Sequence, residues 1–163
     1  MENNTSISQA ALQKFRQDAL VCHNTYRQMH HAPPLVNDGE LEKSAQDYAE
    51  KLAQSGIFVH SPPAERNFAG ENLYEDEDQA LNDTILAEKS KEVVDCFYDE
   101  IKDYDFKKPE LCMKSGHFTQ VVWCGSTKLG MRIAVGKQGT IVVARYEPAG
   151  NKLDDFEKNV LPK

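Results

Sequence analysis

Between Gly116 and Ser126 the chain reads Gly-His-Phe-Thr-Gln-Val-Val-Trp-Cys-Gly-Ser, a short run that holds an imidazole, an amide and the only tryptophan. Histidine is the side chain whose ordinary titration falls near neutral pH, and its neutral ring is a common ligand for divalent metals. Ser115 offers a cap at the start of this run and Cys124-Gly125 a stop, which predicts a short helix. On such a helix His117, Gln120 and Val121 share one face. Read from its own position alone, a histidine such as His117 is more often a core residue satisfied by hydrogen bonds than a ligand.

Other groups with chemical potential have blander readings. Glu75-Asp76-Glu77-Asp78 is an acidic run best read as a solvated loop, because it supplies none of the turn geometry that a calcium-type site requires. Cys22, Cys96, Cys112 and Cys124 have no activating partner nearby in the sequence, so none is expected to be a catalytic nucleophile. His23 lies within the first helical pattern as a packing and hydrogen-bonding residue. His30 and His31 close that pattern, where an imidazolium would favour the negative end of the helix dipole. Trp123 is expected in the core. Tyr98, Tyr104 and Phe106 carry helix-like spacing, which fits core packing better than an apolar ligand groove.

The Gly116 run resembles a signature of the CAP superfamily, which comprises cysteine-rich secretory proteins, antigen 5 and plant pathogenesis-related proteins. The resemblance recurs in His23-Asn24-Thr25-Tyr26-Arg27, His60-Ser61-Pro62, Gly70-Glu71-Asn72-Leu73 and Lys91-Glu92-Val93-Val94. It returns in Ile141-Val142-Val143-Ala144-Arg145-Tyr146-Glu147-Pro148-Ala149-Gly150-Asn151 and extends to Leu161-Pro162. These blocks stand in the family's order, and their details look most like its Golgi-associated plant pathogenesis-related branch. The resemblance implies one CAP domain over residues 1–163, of α+β class: a three-layer α-β-α sandwich around a small central antiparallel sheet.

It also implies a site. The family's two histidines and two glutamates map onto His60, Glu71, Glu92 and His117, four residues on separate elements that lack the tight spacing of a helical His-Glu-x-x-His motif. Neutral imidazoles at His60 and His117 suit zinc or another divalent cation, with Glu71 and Glu92 beside them to orient the rings. Two protein ligands leave coordination positions open, so such an ion would be weakly held. The bland alternative is a buried polar network in which the glutamates only accept hydrogen bonds. By resemblance, the implied function is a non-enzymatic module that binds lipid or sterol and protein partners, with homodimers on membranes. The alternative is a metal-dependent, protease-like hydrolase in which a glutamate activates metal-bound water. No nucleophile stands beside a candidate base in the sequence.

Composition narrows these readings. The chain has 163 residues, 40% hydrophobic and 28% charged, within the range of an ordinary globular domain. That length allows roughly two-thirds of the unfolded surface to be buried. A net charge of −7 argues against nucleic acid, whose binding depends on neutralising phosphates. The same acidity is a departure from relatives regarded as binders of acidic lipids. Met1-Glu2-Asn3-Asn4 opens no hydrophobic signal core, and Glu2 replaces the glycine that myristoylation needs. Secreted relatives have a cysteine where this chain has Ala144. Reduced thiols and a cytoplasmic protein touching endomembranes are therefore expected.

The elements that must position the site follow from periodicity. Leu12, Phe15, Ala19, Cys22, Tyr26 and Met29 form one helical stripe, with Ser6 and Gln9 as a capping box. Ala32-Pro33-Pro34 ends it. A second helix runs from Asn37 through Leu41, Ala45, Tyr48 and Leu52 to Gly56. Phe58-Val59-His60 reads as a short extended piece, and Ala69 to Leu73 as a strand. A third helix is in place by Ser90, with Val93, Phe97, Ile101 and Tyr104 inward. Leu129, Met131, Ile133 and Val135 alternate with Gly130, Arg132 and Ala134 as a half-buried strand, and Gly136-Lys137-Gln138-Gly139 turns it into a second strand, Thr140 to Tyr146.

Overall fold

The computed structural model describes residues 7–77 and 81–163. Its strands are β1 (Val36–Asn37), β2 (Gly70–Asp76), β3 (Lys128–Gly136) and β4 (Gly139–Glu147), and its α-helices are α1 (Gln9–Met29), α2 (Gly39–Ser55), α3 (Asp83–Asp99), α4 (Gly116–Val121) and α5 (Phe156–Asn159). Short 3₁₀ turns cover Pro63–Arg66, Glu100–Asp103 and Met113–Ser115.

The four strands form one sheet in the order β1-β3-β4-β2. The hairpin read from the alternation is present, with Leu129 opposite Tyr146 and Val135 opposite Thr140. β2 runs antiparallel to the other edge of β4. The sheet is nevertheless mixed rather than wholly antiparallel, because β1 lies parallel to β3 at Val36–Lys128 and Asn37–Leu129. Two residues give too little periodicity to be seen in sequence.

Side-chain alternation splits the interior into two cores, one on each face of the sheet. On one face Ala45, Tyr48, Ala49 and Leu52 of α2 pack on Leu73, Ile141 and Val143. On the other, Phe15 and Ala19 of α1, Val93, Val94 and Phe97 of α3, and Phe118 and Val121 of α4 cover Leu129, Met131, Val142, Ala144 and Tyr146. This is the expected three-layer arrangement. β3 approaches α2 closely at Gly130, where a Cβ would fall 2.3 Å from the backbone carbon of Leu41. Among the described residues no helix is long and apolar enough to cross a membrane.

Several boundaries differ from the sequence reading. The N-cap of α1 is Ser8, whose side chain accepts from the amide of Ala11; Ser6 lies outside the described residues. α2 is capped by Asp38 rather than Asn37, which belongs to β1, and it closes at Gly56 with φ 69°. α3 starts earlier than Ser90, at an Asn82 cap. Phe58-Val59-His60 forms no strand. Glu75 and Asp76 are not loop residues: they extend β2 opposite Ile141 and Thr140, and Asp76 Oδ2 accepts from Lys89 Nζ at 2.7 Å. Asp78, the end of that acidic run, lies outside the described residues.

The histidines and aromatics expected in the core are there, with one change of role. His30 is buried, donates from Nδ1 to the Leu161 carbonyl at 2.7 Å and accepts from the Tyr98 hydroxyl at 2.7 Å. Burial pushes its pKa down, so it serves as a neutral hydrogen-bonding ring and not as an imidazolium at the helix end. Tyr98, Tyr104 and Phe106 cluster around Phe118. Trp123 is buried edge-on against Phe156 at 5.0 Å. The sulfurs of Cys22, Cys96, Cys112 and Cys124 are unbridged.

Candidate functional site

His60 and His117 reach the same cavity from different directions. It has a volume of about 380 Å³ and lies between the loop preceding β2, the start of β2, α4 and the segment after β4. His60 sits in the loop after α2 and is held from below by Glu71 of β2. Its Nδ1 donates to Glu71 Oε1 at 2.9 Å. A carboxylate can only accept, so the Nδ1 nitrogen carries a proton, and the lone pair of the neutral ring is on Nε2.

Glu71 is fixed by more than this histidine. Its Oε1 also accepts from the Ser61 amide at 3.0 Å, and Oε2 accepts from Ser61 Oγ at 2.7 Å. Arg145, directly opposite Glu71 in the β2–β4 pairing, donates to Oε2 from Nη2 at 3.0 Å and from Nε at 3.2 Å. Arg66 adds a cation 3.7 Å from Oε1. Burial alone would push the Glu71 carboxyl up, but the bonds from His60, Ser61 and Arg145 outweigh it and hold the pKa down at about 2.

His117, in the first turn of α4, repeats the pattern with a different acid. Its Nδ1 donates to Glu100 Oε2 at 2.8 Å, and its amide donates to Glu100 Oε1 at 2.9 Å. Phe118 adds a longer amide contact to the same oxygen, 3.4 Å. Glu100 therefore caps α4 and orients the ring at once. Ser115, which the sequence suggested as the cap, makes no side-chain cap and instead donates to the Cys112 carbonyl.

Glu92 is the expected site residue that the fold does not bring in. It is exposed on α3, accepts from the Tyr74 hydroxyl at 3.1 Å, lies 3.4 Å from Lys89 Nζ, and does not line the cavity. Glu100 stands two helical turns further along, just past the end of α3. Eight residues of a helix advance a side chain by about 12 Å and turn it by about 80°, so the motif match pointed to a glutamate that stands outside the cavity. The usable signal for Glu100 was its place among Phe97, Ile101 and Tyr104, on the segment that turns in toward α4.

Gln120 shares the cavity with His117 as its spacing predicts, whereas Val121 turns into the main core. Gln120 is buried, accepts from the Gly150 amide at 2.9 Å and donates to Ser126 Oγ at 3.1 Å. It also packs on Gly70, where a Cβ would fall 2.2 Å from Gln120 Oε1. Behind α4 the fully buried Arg27 donates to the carbonyls of Val121 at 3.0 Å, Trp123 at 2.8 Å and Ser126 at 2.9 Å. A buried relay completes the support: His23 Nδ1 donates to the Ala19 carbonyl, the Tyr146 hydroxyl donates to His23 Nε2, and Asn72 Nδ2 donates to both Tyr146 Oη and the His117 carbonyl.

The cavity mouth is apolar. Phe68, Leu111 and Met113 line it and are 69%, 42% and 89% exposed. Among the described residues no three His, Cys, Asp or Glu side chains converge as a ready-made metal cage. Any ion held here would have two imidazole ligands and an open remainder of its coordination sphere. That donor set fits a zinc-type ion held through Nε2, with Nδ1–H bonded to a carboxylate as in many zinc sites.

Residues 20–146 match the family model of the cysteine-rich secretory protein family, CAP. The chain is similar to the Golgi-associated plant pathogenesis-related protein 1 of Homo sapiens, with 41% identity over 96% of this chain and 98% of that protein. It is similar also to pathogenesis-related protein 1A of Nicotiana tabacum, with 35% identity over 85% of this chain and 78% of that protein. Among solved structures it resembles that of NaASP2 with Zn2+, at 25% identity and a TM-score of 0.75, covering all of this chain and 90% of that one. BmVAL-1 has the same fold, at 23% identity and a TM-score of 0.76.

Proposed function

Since the chain belongs to the CAP family of cysteine-rich secretory proteins, we propose that it is a non-enzymatic binding module whose cavity takes a divalent cation, zinc foremost, between His60 and His117. One observation carries this reading: both histidines line one cavity, and both have Nδ1 committed to a carboxylate, which leaves Nε2 to a ligand. The similarity to NaASP2, whose structure contains Zn2+, supports it. When bound, the ion would supply a Lewis-acidic anchor for an oxygen-bearing ligand. The chain's own residues do the rest. Glu71 and Glu100 orient the rings, and the apolar mouth gives a lipid or sterol somewhere to lay its hydrocarbon. The homodimer implied by the family resemblance belongs to the same proposal.

Hydrolysis is the weaker reading, because it needs a carboxylate free to take a proton. Both oxygens of Glu71 and both of Glu100 already accept hydrogen bonds, and Glu71 is held at about 2. Such an acid is a poor general base at neutral pH. Titration calorimetry with zinc on the parent chain and on the His60→Ala, His117→Ala double variant tests the binding reading. Heat of binding in the parent and none in the folded double variant is expected. Equal heats from the two proteins would make the His–Glu pairs a structural network only.

A further inference from the structure

Arg66 lines the cavity of His60 and His117, and only part of its guanidinium is engaged. Nε donates to the Ala69 carbonyl at 2.7 Å, and Nη1 donates to the carbonyl and the Oγ of Ser61. These bonds hold the guanidinium plane in place. Nη2 has no hydrogen-bond partner among the described residues and keeps contact with solvent, in a side chain 17% exposed. It carries two N–H donors. Glu71 Oε1 stands 3.7 Å from Nη1 and already accepts from His60 and the Ser61 amide, so it does not take them up.

The backbone sets this arginine beside an apolar rim at the cost of strain. Arg66 ends the 3₁₀ turn Pro63–Arg66, and the next two residues, Asn67 and Phe68, have φ of 51° and 60°. Asparagine tolerates that region, but a phenylalanine there is an outlier of the kind found at ligand clamps. Core packing does not explain it, because Phe68 is 69% exposed. The strained turn leaves a fixed cation on the cavity wall and an aromatic ring at its mouth, with Leu111 and Met113 on the same lining.

Charge gives the sign of the missing partner. With neutral rings, the carboxylates of Glu71 and Glu100 are matched by the guanidiniums of Arg66 and Arg145. A divalent ion between His60 and His117 adds two positive charges with no carboxylate among its protein ligands. A hydroxyl would fill an open position on that ion and leave the charge and Nη2 unmet. We propose that Arg66 sets the specificity of this cavity, selecting a ligand whose carboxylate is carried on an apolar body. The carboxylate is shared between the ion and the N–H groups of Nη2, and the apolar body lies against Phe68, Leu111 and Met113. Such charge-assisted bonds are roughly twice as strong as neutral ones. A fatty acid and the free C-terminus of an apolar peptide both have this chemistry. The inference deepens the divalent-ion reading of the site and rests on it.

Calorimetry on the full chain tests it, first with zinc alone and then on the zinc-loaded protein. The probes are octanoate, octan-1-ol, acetyl-leucyl-phenylalanine and the C-terminal amide of that peptide. At least one acid should bind roughly tenfold or more tightly than its uncharged counterpart, and the tighter acid identifies the source of the ligand. Arg66→Gln should weaken acid binding by roughly tenfold or more while the zinc heat and the affinity for octan-1-ol stay the same. Arg66→Lys keeps the cation but lacks the second amino group; it should lose most of the same preference and serves if the glutamine variant does not fold. Acids and uncharged counterparts of equal affinity on the zinc-loaded chain would overturn this inference alone. So would an acid preference that survives both Arg66 variants. No zinc heat in the parent chain would overturn the divalent-ion reading itself, and this inference with it.

Discussion

His117 Nδ1 lies 2.8 Å from Glu100 Oε2, and the same carboxylate takes the His117 amide at 2.9 Å. Ring orientation and helix capping thus depend on one acid. Glu100→Gln should weaken zinc binding by roughly ten- to a hundredfold, the usual effect of losing a ligand's hydrogen-bonded carboxylate. Glu92→Gln, on the exposed face of α3, should leave it unchanged. Calorimetric titration of the two variants side by side distinguishes the acids, and equal losses would return Glu92 to the site.

Zinc binding should also weaken on acidification. A ligating nitrogen must be unprotonated, so protons compete with the ion at both histidines. Apparent affinity measured at successively lower pH should fall while far-ultraviolet circular dichroism is unchanged. A pH-independent affinity would point to carboxylate ligation instead.

Glu71 ties the site to overall stability. Its folded pKa of about 2 lies below the unfolded value of 4.5, so its stabilisation is present above pH 4.5 and is lost as pH falls toward 2. The shift corresponds to about 3 kcal/mol. Glu71→Ala strands the Arg145 guanidinium, whose side chain is 4% exposed, and should cost about 3–5 kcal/mol at pH 7. Urea denaturation of parent and variant reads both effects, and a variant that loses less at pH 3 than at pH 7 would agree with the sign.

His23 works in the same direction through the opposite kind of group. Burial lowers its pKa from 6.5 to about 4, so the unfolded chain takes up a proton that the folded one refuses. The neutral ring's stabilisation is complete above pH 6.5 and is lost as pH falls to 4, about 3 kcal/mol in all. Tyr146→Phe removes the hydroxyl that donates to His23 Nε2 and should cost about 1–3 kcal/mol. Denaturation midpoints at pH 7, 5.5 and 4 should fall steadily in the parent chain, and a flat profile would contradict the buried neutral ring.

If the apolar mouth holds hydrocarbon, Phe68→Ser and Met113→Ser together should reduce sterol binding tenfold or more. Both side chains are mostly exposed, so folding should be little affected. A sterol-pelleting assay with a thermal melt as control reads both. Unchanged sterol binding would move the lipid site elsewhere.

The sequence by itself determined what repeats locally. Alternation from Leu129 to Val135 and the glycine-bounded turn specify the hairpin, because side chains on a strand must change face at every residue. The stripe from Leu12 to Met29 specifies α1 by the same logic at a period of 3.6. Family resemblance pointed to His60, Glu71 and His117 as candidate site residues, and the structure sets all three at one cavity. The tertiary structure alone decided the partners. Glu71 faces Arg145 only because β2 pairs with β4 in one register, across 74 residues of chain. Glu100, not Glu92, meets His117 because α3 ends at Asp99 and the following turn bends toward α4. Glu42 and Arg132 come within 3.8 Å of each other only where α2 lies across β3. Hydrophobic periodicity says which face of an element is buried, and it says nothing about which polar group will stand opposite. That depends on strand register and helix placement, which the whole chain settles together.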